Sequence, residues 1–369
     1  MAGPRFTALA ARLPSTVPFV GPEAQERALG RPFRARLGAN ESPFGPSPVA
    51  VEAMARAAAD VWMYADPENF ELREALAARH GVARERIAVG EGIDGLLGLY
   101  VRLLVGEGTP VVTSLGAYPT FNYHVAGFGG RLATVPYRDD REDPEALLAL
   151  ARETGAPLVY VANPDNPMGT WHDAAMVARV IRELPETAVL LLDEAYVDFA
   201  PAGSALVDDF EHPRLVRLRT FSKAYGMAGA RIGYAITSAE LATATDKVRN
   251  HFGVNRIAVA GAIAALGDPL HLARVRTAVD RAKTRIAAIG ARHGLTALPS
   301  GTNFVTLDTG HDGTVARALV AALGARGVFV RMPFVAPGDR CIRVSAGPDD
   351  LLDVFEAELG PALAEVGRR

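Results

Sequence analysis

The chain of 369 residues holds a single cysteine, Cys341. It therefore has no intramolecular disulfide framework and no paired-cysteine zinc site. It lacks an excess of either charge, because 39 basic residues against 42 acidic ones leave a net charge of −3. A nucleic-acid-binding surface normally shows as a basic excess, so that function class is disfavoured and only a local basic pocket remains open. No run of about eighteen uninterrupted apolar residues occurs, so no membrane-spanning helix is expected. The first residues, broken by Pro4 and Pro14, carry no apolar run of signal-peptide length, and a cytoplasmic protein is expected. The phosphate-loop lysine motif, the paired-histidine zinc motif and the serine nucleophile elbow are all missing. The eight histidines are scattered singly, which points to no metal site. Lysine is scarce too: of the 39 basic residues only Lys223, Lys247 and Lys283 are lysines.

What is present suits a large folded core. Hydrophobic residues make up 49% and charged residues 22%, ordinary proportions for a globular protein, and the length suggests about two domains. Residues 1–40 are rich in Pro, Gly and Arg with little periodicity, and read as an arm that packs on something else. Helical spacing follows over 48–60 and 68–80, the second stopped by Gly81. From residue 86 to 236 short apolar runs alternate with helical stretches. Strands are expected at 86–89, 110–114, 132–135, 158–162, 189–193, 215–218 and 232–236, with helices at 94–104, 118–128, 144–153 and 173–183. Runs such as Val189-Leu-Leu-Leu-Asp193 suit strands buried on both faces, and the alternation means a mostly parallel sheet with crossover helices. Beyond 237 the pattern changes to helices at 238–249, 255–266 and 269–293. Strands at 302–307, 328–331 and 341–345 follow, with helices at 313–325 and 348–366. The expectation is an α/β protein: an arm (1–44), a large domain (45–250) and a smaller α+β domain (251–369).

Three segments carry chemistry. Gly90-Glu-Gly-Ile-Asp-Gly95 fits a dinucleotide fingerprint by spacing, but no acid ends the next strand to hold a ribose hydroxyl. It reads either as a phosphate cradle, with free N–H groups and a favourable dipole at a helix start, or as a plain strand-to-helix turn. Thr220-Phe-Ser-Lys-Ala-Tyr-Gly-Met-Ala-Gly-Ala-Arg231 holds the one lysine set in a turn rather than on a polar helix face. A lysine in a desolvated site can form a Schiff base with a carbonyl. Thr220, Ser222 and the planar fork of Arg231 could hold a phosphate beside it. The buried run ending in Asp193 places a carboxylate where it is costly unless paired. A protonated pyridine nitrogen would be such a partner, with Tyr196 in reach of a phenolate oxygen, although ordinary loop amides could equally satisfy it. Asn163-Pro-Asp-Asn-Pro-Met-Gly169 forms a stiff turn that would hold the Asn166 amide at the C-terminal sheet edge.

Taken in order, Asn-Pro-x-Asn-Pro-x-Gly, Asp-Glu-Ala-Tyr and Ser-Lys-x-x-Gly with an arginine eight residues after the lysine resemble the fold-type I pyridoxal-phosphate aminotransferases. The resemblance runs from Leu37-Gly-Ala-Asn-Glu-Ser-Pro43 to Cys341-Ile-Arg-Val-Ser345, and within the fold it is similar to the histidinol-phosphate aminotransferase branch. It implies an aspartate aminotransferase-like architecture with a seven-stranded, mostly parallel sheet in the large domain, and pyridoxal 5'-phosphate as cofactor. Lys223 would bond the cofactor and move the proton, Asp193 would pair with the ring nitrogen, and Tyr196 and Asn166 would reach the ring oxygen. Tyr118 would stack on the ring. Gly92, Ile93, Asp94, Thr220, Ser222 and Arg231 would hold the phosphate. Tyr64 would reach the phosphate of a partner subunit, which implies a homodimer. Arg343 and Arg331 would grip the substrate's anionic groups, with Asn40 and the residue at position 19 beside them. The reaction implied is transfer of an amino group from a small-molecule donor to a 2-oxo acid such as 2-oxoglutarate.

The chain departs from the pattern in three places. Phe19-Val-Gly-Pro22 stands where the branch commonly has Tyr-Val-Pro-Gly, Met168 replaces a threonine, and Gly95 replaces an acid. The first puts the substrate in question and keeps an aminotransferase for aromatic or other amino acids open. A decarboxylase of the threonine-phosphate type is a further alternative. A regulator built on this fold is another, and the net charge of −3 argues against it.

Overall fold

The computed structural model describes residues 3–15 and 19–367. Its centre is a seven-stranded sheet. In spatial order the strands are Ile87–Gly90, Gly233–Ile236, Leu215–Thr220, Val189–Asp193, Leu158–Ala162, Pro110–Ser114 and Arg131–Val135. All neighbours are parallel except Gly233–Ile236, which runs antiparallel to both of its own. The fold class is therefore the α/β architecture expected from alternating strands and helices.

Strand residues alternate between two apolar layers, as the two-residue period of a strand requires. Leu191 and Val216 pack with Leu96, Leu97, Tyr100 and Phe121 on one face. Leu190 and Leu192 pack with Leu147, Val177 and Ile181 on the other. Both faces are covered by helices, Gly92–Leu104 and Pro119–Gly127 on the first, Pro144–Thr154 and Ala174–Glu183 on the second. Local chemistry fixes the ends of the second pair. The Asp143 carboxylate accepts from Ala146 N at 3.2 Å and that of Asp173 from Met176 N at 2.7 Å, satisfying amides that the first helical turn leaves free. Register then sets the site. Ala162 lies opposite Asp193, which lies opposite Leu218, so the C-terminal ends of the parallel strands form one edge.

A second, antiparallel sheet joins Cys341–Ser345, Phe304–Asp308 and Thr296–Ala297. The helices Pro269–Arg292, Gly313–Ala325 and Asp349–Val366 share its core. The helix Arg256–Leu266 packs on Pro48–Ala57. Among the described residues no single helix is long and apolar enough to cross a membrane.

The N-terminal region holds more structure than its composition suggests. It contains helices Ala8–Arg12 and Pro22–Leu29 and a short strand, Ala35–Arg36, parallel to Val328–Phe329. These pieces are too short to show periodicity, and the second helix is set by Pro22 at its first turn and Gly30 after its last. Three other expectations shift. The helix expected over 238–249 ends at Ala244 and tightens into a 3-10 turn. The strand expected at 302–307 begins at Phe304, because the Ser300 and Thr302 hydroxyls take up the turn's backbone groups. The strand expected at 328–331 stops at Phe329.

Candidate active site

Lys223 sits in the turn after Leu215–Thr220, at the sheet edge. Its Nζ donates to the Asn40 carbonyl at 3.0 Å and lies 5.6 Å from the centre of the Tyr196 ring. Burial pushes the ammonium down to about 8, with Arg343 adding to the effect. A cavity of about 680 Å³ opens beside it.

Asp193 ends the adjacent strand and is 5% exposed. Burial raises its carboxyl to about 6, against Tyr160 and a backbone amide that favour the ion. The Tyr160 hydroxyl donates to one oxygen at 2.8 Å and the Ala195 N–H to the other at 2.9 Å. Tyr160 carries no expectation from the sequence. Its only signal is a hydroxyl inside the buried run Leu158–Ala162.

Asn40 ties the site together from an unusual backbone, at φ 55°, a region that asparagine tolerates better than most residues. Its amide donates to the Tyr196 hydroxyl at 3.0 Å, and its side-chain oxygen accepts from Ser345 Oγ at 3.2 Å. Asn303, also without an expectation, donates to the Asn40 and Glu41 carbonyls at 3.2 and 3.1 Å. Asn166 accepts from Arg343 through its side-chain oxygen. The turn that presents Asn166 is held by the buried Asp165, which accepts from Tyr137 at 2.8 Å and from Met168 N at 2.9 Å. Burial raises Asp165 and its neighbour Glu142.

The turn expected to cradle an anion lies at the start of Gly92–Leu104. Ile93 and Asp94 line the cavity together with Thr220, Ser222 and Arg231. Arg231 reaches Ser222 Oγ at 3.4 Å and the Asp94 carboxylate at 3.5 Å. Thr220 donates to Ser222 Oγ at 2.9 Å. Gly92 stands behind at φ 77°, where an added Cβ would lie 2.6 Å from Arg231 Nη2. The Tyr118 hydroxyl donates to Asp94 at 2.8 Å, so this ring is braced on the cradle. The Glu91 carboxylate from one turn earlier lies beside Gly95, 3.1 Å from where a Cβ would be. Met168 is buried beneath the 333–338 loop, its sulfur 3.0 Å from where a Cβ on Gly338 would be.

Two guanidinium groups face the cavity without a carboxylate in ion-pair contact among the described residues. Arg343 donates to Asn166 and to the Gly38 carbonyl at 3.3 Å, and its Nε is buried without a partner. Burial lowers it to about 10. Arg331 stacks 4.3 Å from the Phe19 ring and 5.5 Å from Phe334, and donates to the Val20 carbonyl at 3.1 Å. The arm thus reaches the cavity, and Phe19, which stands where the branch commonly has a tyrosine, meets Arg331 with a ring face. Phe334 carried no expectation.

Tyr64 is not part of this cavity. It is 76% exposed and stacks on Phe252 at 4.5 Å.

A buried lysine, a buried acid on the adjacent strand and a glycine turn where a Cβ would press on Arg231 are a donor set fitted to a phosphorylated pyridine aldehyde. The model of the family "Aminotransferase class I and II" matches residues 35–357. The chain belongs to the class I and II aminotransferases. Its cofactor is pyridoxal 5'-phosphate, and it is an aminotransferase. It is 36% identical over 346 residues to histidinol-phosphate aminotransferase 2 of Pseudomonas aeruginosa, covering 92% of each chain. The crystal structure of the histidinol-phosphate aminotransferase of Sinorhizobium meliloti in complex with pyridoxal-5'-phosphate superposes with a TM-score of 0.96, at 54% identity and 99% coverage of both chains. A Thermus thermophilus aspartate aminotransferase variant shares the fold, at 24% identity and a TM-score of 0.76.

Proposed function

We propose that this aminotransferase takes its amino group from histidinol phosphate and delivers it to a 2-oxo acid, 2-oxoglutarate. The observation that carries the reading is the pair of arginines, Arg331 and Arg343, both open to an anion beside the Lys223 amine. Planar guanidinium forks suit phosphate and carboxylate. The 54% identity with the Sinorhizobium meliloti enzyme supports the donor.

When bound, pyridoxal phosphate supplies an electron sink for the carbon that loses its proton. Asp193 holds a proton on the ring nitrogen, which both satisfies its own buried charge and keeps that sink open. Thr220, Ser222, Arg231 and the amides of Ile93 and Asp94 bind the phosphate, and Tyr118 packs against the ring. Lys223 Nζ, poised near neutrality by burial, moves the proton between substrate and cofactor carbons as base and then acid. Asn40 and Tyr196 orient that amine. Arg343 and Arg331 fix the substrate so that its C–H bond faces it.

The apolar mouth formed by Phe19, Leu115 and Phe334 favours a second reading, an aromatic amino acid donor. Turnover with a panel of amino donors tests both. Histidinol phosphate should be the preferred donor and the reaction should require an oxo acid. Preference for phenylalanine would replace the donor, and carbon dioxide release without an acceptor would replace the reaction.

The exposed residues Val61, Trp62, Met63, Tyr64 and Phe252 form an apolar patch of the kind that covers an interface. We propose that it belongs to a homodimer in which Tyr64 reaches the partner's phosphate cradle. We also propose a division into an arm, a large part and a small part, with Arg256–Leu266 counted in the large part through its packing on Pro48–Ala57.

A further inference from the structure

Three acids line the cavity: Glu41, Asp94 and Asp193. Two of them are engaged. Asp94 accepts from Tyr118 and meets Arg231, and Asp193 accepts from Tyr160 and Ala195 N. The Glu41 carboxylate meets no donor and no cation within bonding distance among the described residues. Its backbone is nevertheless fixed, because its carbonyl accepts from Asn303 at 3.1 Å. The acid is therefore an exposed side chain on a fixed backbone, with all its acceptor capacity free, next to a cavity whose other unpaired charges are positive.

The order of groups along this segment gives the acid a meaning. The Gly38 carbonyl touches Arg343, the Asn40 carbonyl touches Lys223, and Glu41 comes next. A molecule lying along the segment meets an anion receptor, then the reacting amine, then a hydrogen-bond acceptor. We infer that Glu41 is a specificity-determining residue that accepts an N–H from the end of the amino donor remote from its anionic group. That end is the imidazole ring of histidinol phosphate. The inference rests on the donor proposed above. A phenyl ring has no N–H to give, and placing one against this carboxylate would strip its water without replacement. Glu41 thereby selects against the aromatic donors that the apolar mouth would admit.

The test separates the two half-reactions of the cofactor-loaded protein, followed by absorbance in single turnovers. Glu41→Ala should lower kcat/KM for histidinol phosphate about ten-fold, the loss expected for one hydrogen bond to a charged group. Glu41→Gln, which still accepts an N–H, should lose less. With 2-oxoglutarate or whichever oxo acid the wild type accepts, both variants should stay within about twofold, since no N–H is involved. Equal loss in both half-reactions would mean that Glu41 acts on Lys223 and not on the donor, and would overturn the inference. Unchanged rates with histidinol phosphate in a variant of an active wild type would overturn it alone. A wild type inert to histidinol phosphate would overturn the donor reading and this inference with it. Thermal melting of both variants near the wild-type value excludes a loss of fold as the cause.

Discussion

Asp193 shows how a single residue can be placed for a ligand at the expense of the empty protein. Its carboxyl stands at about 6 in the fold against an ordinary value of 3.8. The folded chain therefore holds the proton more tightly than the unfolded one. The stabilisation is complete below the ordinary value and is lost as pH rises through about 6. Two units correspond to a loss on the order of 3 kcal/mol. In the cofactor-free protein, Asp193→Asn should therefore be less pH-sensitive than wild type, and its stability relative to wild type, measured by urea unfolding, should be higher at pH 7 than at pH 4 by up to that order. The same variant should bind pyridoxal phosphate more weakly, because the ring nitrogen loses its counter-charge. Equal pH dependence in the two proteins would contradict the assignment. Other residues could not be read from the chain. Tyr160 is one letter in an apolar run until the fold sets its hydroxyl on Asp193. The contact of Phe19 with Arg331 joins positions 312 residues apart in the chain numbering, which no local pattern reveals.

At the scale of elements, most of the central sheet was legible, because strands such as Leu158–Ala162 and Val189–Asp193 are short, mostly apolar runs, although Leu215–Thr220 buries Arg217 and Arg219 on Glu194. The arm was not, since Ala8–Arg12 and Ala35–Arg36 are too short for a period. Nor was the two-residue strand Thr296–Ala297. The cradle was legible as a turn that either holds an anion or merely reverses the chain, and the first is the reading proposed above. Gly92 has φ 77°, and a Cβ there would press on Arg231. Gly92→Ala should cost the fold only about 1–2 kcal/mol for the strained backbone. The guanidinium end can swing away, and that displacement should cost cofactor retention far more. Dialysis of the loaded variant should release the cofactor while its melting temperature in the cofactor-free form changes little. Full retention would show that Arg231 and Gly92 are not part of the phosphate site.

For the whole molecule, the prominent feature is an aromatic patch outside the lining of the cavity, with Trp62 79% exposed and Tyr64 stacked on Phe252. If Tyr64 serves the partner's site, each site of the homodimer draws on both chains. Mixing inactive Lys223→Ala protein with impaired Tyr64→Ala protein should then restore activity, because each hybrid dimer holds one site with both residues intact. Random reassociation predicts about a quarter of wild-type activity. No gain on mixing, with hybrid dimers demonstrated by mass, would contradict a shared site.

The proposed activity is amino transfer from histidinol phosphate by Lys223 and its cavity. The most direct measurement is an absorbance titration of the cofactor-loaded protein with histidinol phosphate and no oxo acid. The visible band of the lysine-bound cofactor should disappear stoichiometrically as the aminated cofactor forms, and a 2-oxo acid should restore it. A band untouched by histidinol phosphate, yet converted by phenylalanine or another amino acid, would contradict the donor and leave the chemistry of Lys223 standing.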